Sequence, residues 1–131
     1  MIEGPRITAS VNRCSMIGLA GKAERLRANE LGRELFSIPA FEMLLDLYTS
    51  TGLQPRSLTS LTTASSASER NSQRIVHRMA ERGLVSLRRD PSDGRRIIVE
   101  LEQATRELLD RFFDQLVELI ANLPSHEQGG S

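Results

Sequence analysis

Apolar residues recur along the first half of the chain at spacings that predict two helices. Across residues 19–36 they alternate with charged residues near a helical period, which predicts an amphipathic helix. Ser37 and Pro39 are typical of a helix start, because serine caps free N–H groups and proline tolerates the first turn. The 41–48 segment is apolar on most sides and predicts a central core helix, and Gly52 predicts its end.

The middle of the chain has the proportions of a helix-turn-helix. Residues 57–64 carry two leucines at helical spacing and predict a short helix, followed by a turn rich in serine, threonine and alanine. A second helix is predicted over residues 69–82, capped by Ser66 or Ser68 and stopped by Gly83. Two helices joined by so tight a turn indicate a helix-turn-helix unit.

A β-hairpin and a long helix follow. Residues 84–89 predict one strand, residues 90–94 form a dense turn signal, and β-branched residues over 96–101 predict the returning strand. The predicted 103–123 helix has two adjacent apolar stripes, which is wider than one core face requires, so we expect part of it to contact a second copy of the chain. We assign the dimerisation surface to Leu108, Phe112, Phe113, Leu116, Val117, Ile120 and Leu123.

These elements predict a fold that is mainly α with a small β-hairpin wing (α+β), a winged helix-turn-helix with terminal dimerisation helices. The chain has 131 residues, about the size of one ordinary domain. We divide it into a flexible arm over residues 1–18, this domain over residues 19–123, and a tail over residues 124–131.

The predicted 69–82 helix has an apolar back and a polar face. Ile75, Val76 and Met79 share the back, which would attach the helix to a core. The opposite face carries arginine and amide side chains, the types that contact guanine and adenine edges in the major groove. A merely solvated face is the alternative, but a basic hairpin follows at once. We assign DNA contacts here to Ser68, Arg70, Asn71, Gln73, Arg74, His77 and Arg78.

Charge is unevenly distributed although the formal net charge is zero. Residues 56–96 hold nine arginines against four carboxylates, whereas residues 97–131 hold two arginines against seven carboxylates. The basic block coincides with the predicted helix-turn-helix and hairpin, so the zero total does not exclude a nucleic-acid partner. In the hairpin we assign DNA contacts to Arg88, Arg89, Arg95 and Arg96, and support of the turn to Asp93.

Two motifs resemble the MarR family of bacterial winged helix-turn-helix regulators. The first is Gly-Leu-Val at residues 83–85 followed by Asp-Pro-x-Asp-x-Arg at residues 90–95. The second is the helix start with Ser37 and Pro39, which is similar to the family's Thr-x-Pro. The resemblance covers residues 19–123.

The resemblance implies a homodimer that binds double-stranded DNA in the bacterial cytoplasm and is associated with the nucleoid while bound. It also implies that Arg95 enters the minor groove and that Asp93 holds the wing in shape. The chain departs from the family over residues 101–105, which lack the Leu-Thr-x-x-Gly that usually follows the wing. It also has room for one C-terminal helix where the family tends to have two.

Other chemistry has little support in the sequence. Cys14 is the only cysteine, which excludes an intrachain disulfide; because some MarR relatives sense peroxides through an N-terminal cysteine, redox sensing is a hypothesis beside an inert thiol. His77 and His126 lie far apart, so we expect no metal site. No nucleophile elbow, phosphate loop, signal peptide or membrane-length apolar run is present. We therefore expect no enzyme activity, no cofactor and no membrane partner.

Two further hypotheses stand beside a DNA-binding homodimer. A winged-helix protein–protein interaction module would dock through the acidic last third and the wide apolar helix without binding DNA. A ligand-gated or redox-gated regulator would take a small-molecule effector in the cleft between the terminal helices and the DNA-reading domain. Titration against duplex DNA at two salt concentrations distinguishes a DNA-binding protein from an interaction module.

Overall fold

The computed structural model describes residues 12–32, 37–50 and 55–122. Within these ranges the predicted architecture is confirmed: the chain is mainly helical and carries a small antiparallel sheet with a hairpin wing. The elements in chain order are α1 (Arg13–Leu31), α2 (Ile38–Thr49), β1 (Arg56–Ser57), α3 (Leu58–Thr62), α4 (Glu69–Glu81), β2 (Val85–Asp90), β3 (Asp93–Leu101) and α5 (Gln103–Ala121).

Serine side chains cap the starts of α2, α3 and α4. The Ser37 hydroxyl oxygen accepts a bond from the Ala40 backbone N–H (3.3 Å) at the start of α2, as predicted. At the start of α4 the cap is Ser68, which accepts from the Asn71 backbone N–H (3.2 Å). Ser57 caps α3 in the same way. Each bond satisfies an N–H group that a helix start leaves without an intrahelical acceptor.

Gly83 turns the chain out of α4, as the sequence predicts. Its φ of 76° lies in the left-handed region, where a residue with a side chain would be strained. The Leu84 backbone N–H donates to the Met79 carbonyl (2.9 Å), and the Gly83 N–H donates to the Ala80 carbonyl (3.0 Å). These bonds satisfy the last carbonyls of α4 and let β2 begin two residues later.

The first helix begins earlier than the sequence pattern indicates. Asn12 and Ser15 form a reciprocal capping box, with bonds of 3.0 Å and 2.9 Å, so residues 13–18 are helical and are not part of a flexible arm. The predicted boundary is wrong because the first turns of α1 carry no regular apolar period. Residues 33–36, which were predicted to continue this helix, lie outside the described residues.

The strands form one antiparallel sheet in the order β1-β3-β2. The predicted hairpin of β2 and β3 is confirmed, with Val85 opposite Leu101 and Leu87 opposite Val99. β1 adds an edge strand of two residues that pairs with β3. The sequence did not predict it, because two residues are too few to leave a periodic signal.

Helix α2 lies at the centre of the core, as its apolar composition predicts. Its residues Ala40, Met43 and Leu44 are fully buried. Helices α3, α4 and α5 and strands β2 and β3 each bury one or two side chains in the same core. These further buried core residues are Leu61 of α3, Val76 and Met79 of α4, Val85 of β2, Val99 of β3 and Leu109 of α5.

Helix α5 starts without a side-chain cap, in agreement with the missing family motif. Glu102 occupies the N-cap position but its side chain makes no capping hydrogen bond. The Thr105 hydroxyl (2.8 Å) and the Glu102 backbone N–H (3.1 Å) instead both donate to the Leu84 carbonyl. The start of α5 is therefore held against the residue that precedes β2.

Only the first half of α5 is part of the core. Phe112 is 2 % exposed and its ring packs edge-on against Phe41 at 5.8 Å between centroids. The assignment of Phe112 to a dimer surface is therefore wrong, because its side chain is already buried within the chain. Beyond Phe112 no described residue of α5 is buried. Leu123 lies outside the described residues.

Candidate nucleic-acid interface

Helix α4 buries its back and exposes the face that carries its arginines. Val76 and Met79 are fully buried on the back, as the pattern predicts. Arg70, Arg74 and Arg78 are exposed on the other side, and none of the three forms an ion pair or a side-chain hydrogen bond within the described ranges. Their guanidinium N–H donors are therefore available to a partner.

The other polar residues assigned to this face differ in whether their side chains can contact a partner. Asn71 and His77 are exposed. Gln73 is half-buried, and its amide donates to the Glu69 carboxylate at 3.4 Å. The Ser68 hydroxyl oxygen already caps α4. The accessible part of the face thus consists of the arginines with Asn71 and His77.

A hydrogen-bond network fixes the turn that precedes α4. The hydroxyl of the fully buried Ser72 donates to Ser65 Oγ (2.9 Å), which also accepts from the Ala67 backbone N–H (3.0 Å). The Ser66 backbone N–H donates to the Glu42 carboxylate on α2 (2.7 Å). The turn is therefore held from both sides, which sets the position of α4 on the core. The role of Glu42 leaves no sequence signal, because its partner lies 24 residues away.

A bulge at the wing tip separates Arg95 from the sheet. The register of the hairpin shifts between Arg89 and Asp90, so residues 94–96 have no partner on β2. The Arg95 side chain is 95 % exposed, and its one described ion pair, with Asp93, has an N–O distance of 3.5 Å. Arg95 is therefore placed to contact a partner beyond the wing.

Asp90 is the buried anchor of the wing turn. Its Oδ1 accepts bonds from the Ser92 backbone N–H (2.8 Å) and the Ser92 hydroxyl (2.7 Å), and its Oδ2 pairs with Arg96 (3.1 Å). The Ser92 bonds, with a further contribution from the Arg96 charge, hold the pKa of Asp90 below its ordinary value. The sequence assigned wing support to Asp93 alone, although Asp90 belongs to the same turn signal.

Arg96 supports the wing turn, although its side chain is 41 % exposed. Besides its pair with Asp90, its guanidinium donates to the Pro55 carbonyl (3.3 Å), next to β1. Its donors therefore join the wing turn to the segment before β1, and its assignment to DNA contact stays a prediction. The sequence does not distinguish it from the adjacent arginine, since both follow the same turn.

Two more wing arginines also bond within the chain. Arg88 pairs with Glu100 across the hairpin (3.0 Å), and this hydrogen bond raises the pKa of Arg88. Arg89 donates to the Gly94 carbonyl (2.7 Å). Both side chains are exposed, so they can add positive charge near a partner, whereas Arg95 has the freest guanidinium of the wing.

The remaining candidate chemistry is not assembled into a site. Cys14 is an exposed free thiol near the start of α1. The described residues contain no group of three or more histidine, cysteine or acidic side chains placed to hold a metal ion. His126 lies outside them. Over the same part of the chain, no helix combines the length and apolar character needed to cross a membrane.

Comparison with known proteins identifies the fold. No protein-family model and no curated protein matches the chain. A probable transcriptional regulator from Pseudomonas aeruginosa is 26 % identical, with a TM-score of 0.56 over 88 % of this chain and 86 % of its own. A MepR mutant from S. aureus is 16 % identical, with a TM-score of 0.67 over 90 % of this chain and 85 % of its own. The repressor CouR, in a structure with a 23-mer DNA duplex, is 21 % identical, with a TM-score of 0.57 over 83 % of this chain and 72 % of its own.

The chain therefore shares the winged-helix fold of these regulators over most of its length. This agreement confirms the MarR-like resemblance that the wing motif and the helix start indicated.

Proposed function

We propose that this protein is a sequence-specific DNA-binding transcriptional regulator that acts as a homodimer. In this proposal α4 enters the major groove and the wing, residues 88–96, lies on the minor groove. The observation that carries it is the exposed arginine face of α4, without ion pairs in the described structure, beside a wing from which Arg95 projects.

The order of residues along α4 supports base contacts at its start. Arg70, Asn71 and Arg74 lie in the first two turns, the part of a recognition helix that reaches base edges. Arginine contacts guanine and asparagine contacts adenine through two hydrogen bonds each. Arg78 is one turn further along and is better placed for a phosphate, as is the adjacent His77.

The wing geometry supports a contact with the minor groove. A narrow minor groove has an enhanced negative potential that attracts arginine. Arg95 has a nearly fully exposed side chain and follows a turn in which the Asp90 carboxylate accepts from the Ser92 backbone N–H. The wing therefore presents one cation on a braced turn, with Asp93 supporting it directly through the Arg95 backbone N–H (3.1 Å).

Exposed apolar residues on α1 and half-buried ones on α5 support the dimer. Leu116, Val117 and Ile120 are only half-buried in the second half of α5, and Met16 and Ile17 are 44 % and 74 % exposed on α1. Apolar surface of this kind is typical of subunit contacts. A two-fold dimer would place its two α4 helices about one DNA turn apart, roughly 34 Å.

Structural neighbours agree with this function. CouR and AbfR have been solved bound to DNA, and the DNA binding of BpsR is regulated by 6-hydroxynicotinic acid. We extend DNA binding to this chain, together with the option of a small-molecule effector. We also propose that the protein acts in the bacterial cytoplasm, without enzyme activity and without a cofactor.

Selection of binding sites from random duplexes, followed by fluorescence anisotropy titration, tests the proposal. We expect a palindromic site and an affinity that falls steeply with salt. Arg74→Ala should cost roughly 1–3 kcal/mol on the selected site and relax its sequence preference. Arg111→Ala, which removes an exposed arginine of α5, is the matched control and should bind as the native chain does. Absence of binding to any duplex at low salt would overturn the proposal in favour of a protein-interaction module.

A further inference from the structure

The wing turn contains the chain's only aspartate or asparagine that is followed by glycine, the pair Asp93–Gly94. An aspartate in such a pair can convert to isoaspartate without an enzyme, because glycine leaves its backbone nitrogen unshielded and able to attack the preceding side-chain carboxyl carbon. The Asp93 side chain is 48 % exposed, so water reaches this carboxyl group. Whether the pair reacts in a folded protein depends on how firmly the backbone around it is held.

The bulge in the wing leaves the attacking nitrogen outside the ladder between β2 and β3. Gly94 belongs to β3 but has no partner residue on β2. The aspartates of α2 and α5 lie within helices, where intrahelical hydrogen bonds hold the backbone. Asp90 precedes Pro91, whose nitrogen carries no proton to lose. Asp93 is therefore the aspartate of the chain best placed to react.

A hydrogen bond folds the Asp93 side chain back along the chain toward the nitrogen that would attack it. Asp93 Oδ1 accepts from the Arg95 backbone N–H (3.1 Å), two residues further on. The ring that this bond closes contains both Asp93 Cγ and the Gly94 nitrogen. The carboxyl group is therefore held beside the peptide that supplies its nucleophile.

Nothing in the described structure requires glycine at position 94. Its φ lies outside the left-handed region that Gly83 occupies. A Cβ added to Gly94 would meet no atom within 4 Å. Alanine therefore fits this position, while its methyl group shields the nitrogen and restricts the backbone motion that ring closure needs.

We propose that Asp93 is a site of spontaneous conversion to isoaspartate. The Gly94 nitrogen forms a bond to Asp93 Cγ, and one carboxylate oxygen leaves as water with the amide proton and a proton from solvent. Water then opens the cyclic imide. Attack at Cγ restores aspartate, whereas attack at the Asp93 backbone carbonyl carbon breaks its bond to the Gly94 nitrogen, leaves isoaspartate and returns a proton to solvent. Water is the only co-reactant, and no atom is gained or lost overall.

The conversion changes the path of the main chain just before Arg95. The chain then runs through Cβ and Cγ of residue 93, which lengthens it by one carbon atom, and the former backbone carbonyl becomes a side-group carboxylate. The oxygen that accepts the Arg95 backbone N–H is thereby displaced. The consequence for DNA rests on the proposed function: a wing with isoaspartate presents Arg95 in the wrong place and loses its contact with the minor groove.

Incubation of the full chain at physiological pH and temperature for several weeks, followed by tryptic digestion, tests the conversion. Trypsin releases residues 90–95 as one peptide, in which only Asp93 can react. Its isoaspartyl form has the same mass, separates on chromatography and resists a protease that cleaves before aspartate. We expect this form to accumulate steadily in the native chain and at least about tenfold more slowly in Gly94→Ala. Gly18→Ala, at a glycine of α1 where a Cβ also meets no atom, is the matched control and should convert as the native chain does.

Anisotropy titrations of the same samples measure the consequence for DNA. The fraction of the native chain that keeps its initial affinity for the selected duplex should fall in parallel with conversion, whereas the Gly94→Ala sample should keep its own starting affinity. Equal conversion in the native chain and Gly94→Ala, or no conversion, would overturn the proposal. Conversion without loss of affinity, in a chain that Arg95→Ala does weaken, would overturn its link to the wing. A chain that binds no duplex contradicts the proposed function alone, since the peptide measurement does not depend on DNA.

Discussion

At the scale of single residues, Arg95 and Arg96 show how adjacent arginines acquire different roles. Arg96 is tied to Asp90, which is 8 % exposed, and to the Pro55 carbonyl, so moving it would leave a buried carboxylate without its cation. The pair of Arg95 with Asp93 is long and exposed, and such surface pairs contribute little. Arg95 can therefore exchange its partner for a phosphate or a base edge at little cost.

Arg95→Ala should weaken DNA binding and reduce its salt dependence. Removal of one cation that neutralises a phosphate lowers the slope of log affinity against log salt concentration by about one. Anisotropy titrations at several salt concentrations measure both quantities. Arg111→Ala removes the same charge from α5 and should change neither of them. An unchanged slope and affinity for Arg95→Ala would show that the wing does not contact DNA.

Tyr48 is the chain's only tyrosine, so its ionisation is a specific probe of the contact between α2 and α5. Burial of the ring, followed by the hydrogen bond from its hydroxyl to Asp110, raises the pKa of Tyr48 from 10.0 to about 12. Phe113 of α5 stacks on the same ring at 5.5 Å between centroids. Ionisation of Tyr48 therefore reports on whether α5 is docked against α2.

The tyrosinate absorbance of the folded chain should titrate with a midpoint near pH 12, against about 10 in urea. Because the folded pKa is the higher one, Tyr48 stabilises the fold below pH 10, and this contribution is lost as the pH rises from 10 to about 12. Asp110→Asn removes the charge beside the hydroxyl and should lower the midpoint. A native midpoint near 10 would mean that Tyr48 is not buried against α5.

At the scale of elements, the position of α4 depends on a residue outside the helix-turn-helix. Glu42 of α2 accepts the Ser66 backbone N–H at 2.7 Å and makes no described ion pair. Without this acceptor the turn before α4 would lose its attachment to α2, while the buried back of α4 would stay packed. We therefore expect Glu42 to affect the accuracy of DNA reading more than the stability of the fold.

Glu42→Ala should lower affinity for the selected site several-fold while leaving affinity for random duplex nearly unchanged. Glu42→Gln retains a carbonyl acceptor of the same length, so it should keep most of the specificity. Asp114→Ala removes an exposed carboxylate of α5 and controls for the change in net charge. If Glu42→Ala strengthened specific and random binding equally, Glu42 would act only through its charge.

The elements that the sequence predicted are those specified by local patterns. The Ser37 cap, the apolar α2, the amphipathic α4 and the Gly83 stop each depend on residues within one or two turns. What the sequence did not predict depends on contacts between distant segments, such as the bond between Glu42 and Ser66 or the strand β1, which pairs only with β3. Local periodicity carries no information about such partners.

The same distinction holds inside the candidate site. The apolar period of α4 identified its exposed face, but the period could not show that Gln73 and Ser68 already have partners. The wing motif identified Arg95. The different hydrogen-bond partners of Asp90 and Asp93 depend on a bulge that is visible only in the folded hairpin. The double apolar stripe of α5 did not separate the residues that are buried in the core, Leu109 and Phe112, from those that are only half-buried.

At the scale of the whole molecule, charge and apolar surface are segregated. The exposed carboxylates of α5 belong to a different element from the exposed arginines of α4 and the wing, so the basic residues are grouped together although the chain is neutral overall. Such an arrangement favours one orientation toward a polyanion. The apolar residues that stay exposed on α1, Met16 and Ile17, are the ones we propose for contact with a second copy.

The dimer can be tested at a position that the fold of one chain does not need. Ile17 is 74 % exposed on α1, so Ile17→Asp should leave the monomer folded while placing a charge in the proposed contact. We expect sedimentation to show a shift from dimer to monomer. We also expect affinity for a palindromic site to fall far more than affinity for a half-site, because two linked α4 helices bind a palindrome with avidity. Val117→Asp should act alike from α5, whereas Asn29→Asp adds the same charge at another exposed position of α1 and should change neither measurement. If the chain still formed a dimer with either Ile17→Asp or Val117→Asp, the dimer contact would have to consist of other residues. The spacing of the two α4 helices could then no longer be inferred from a contact through α1 and α5.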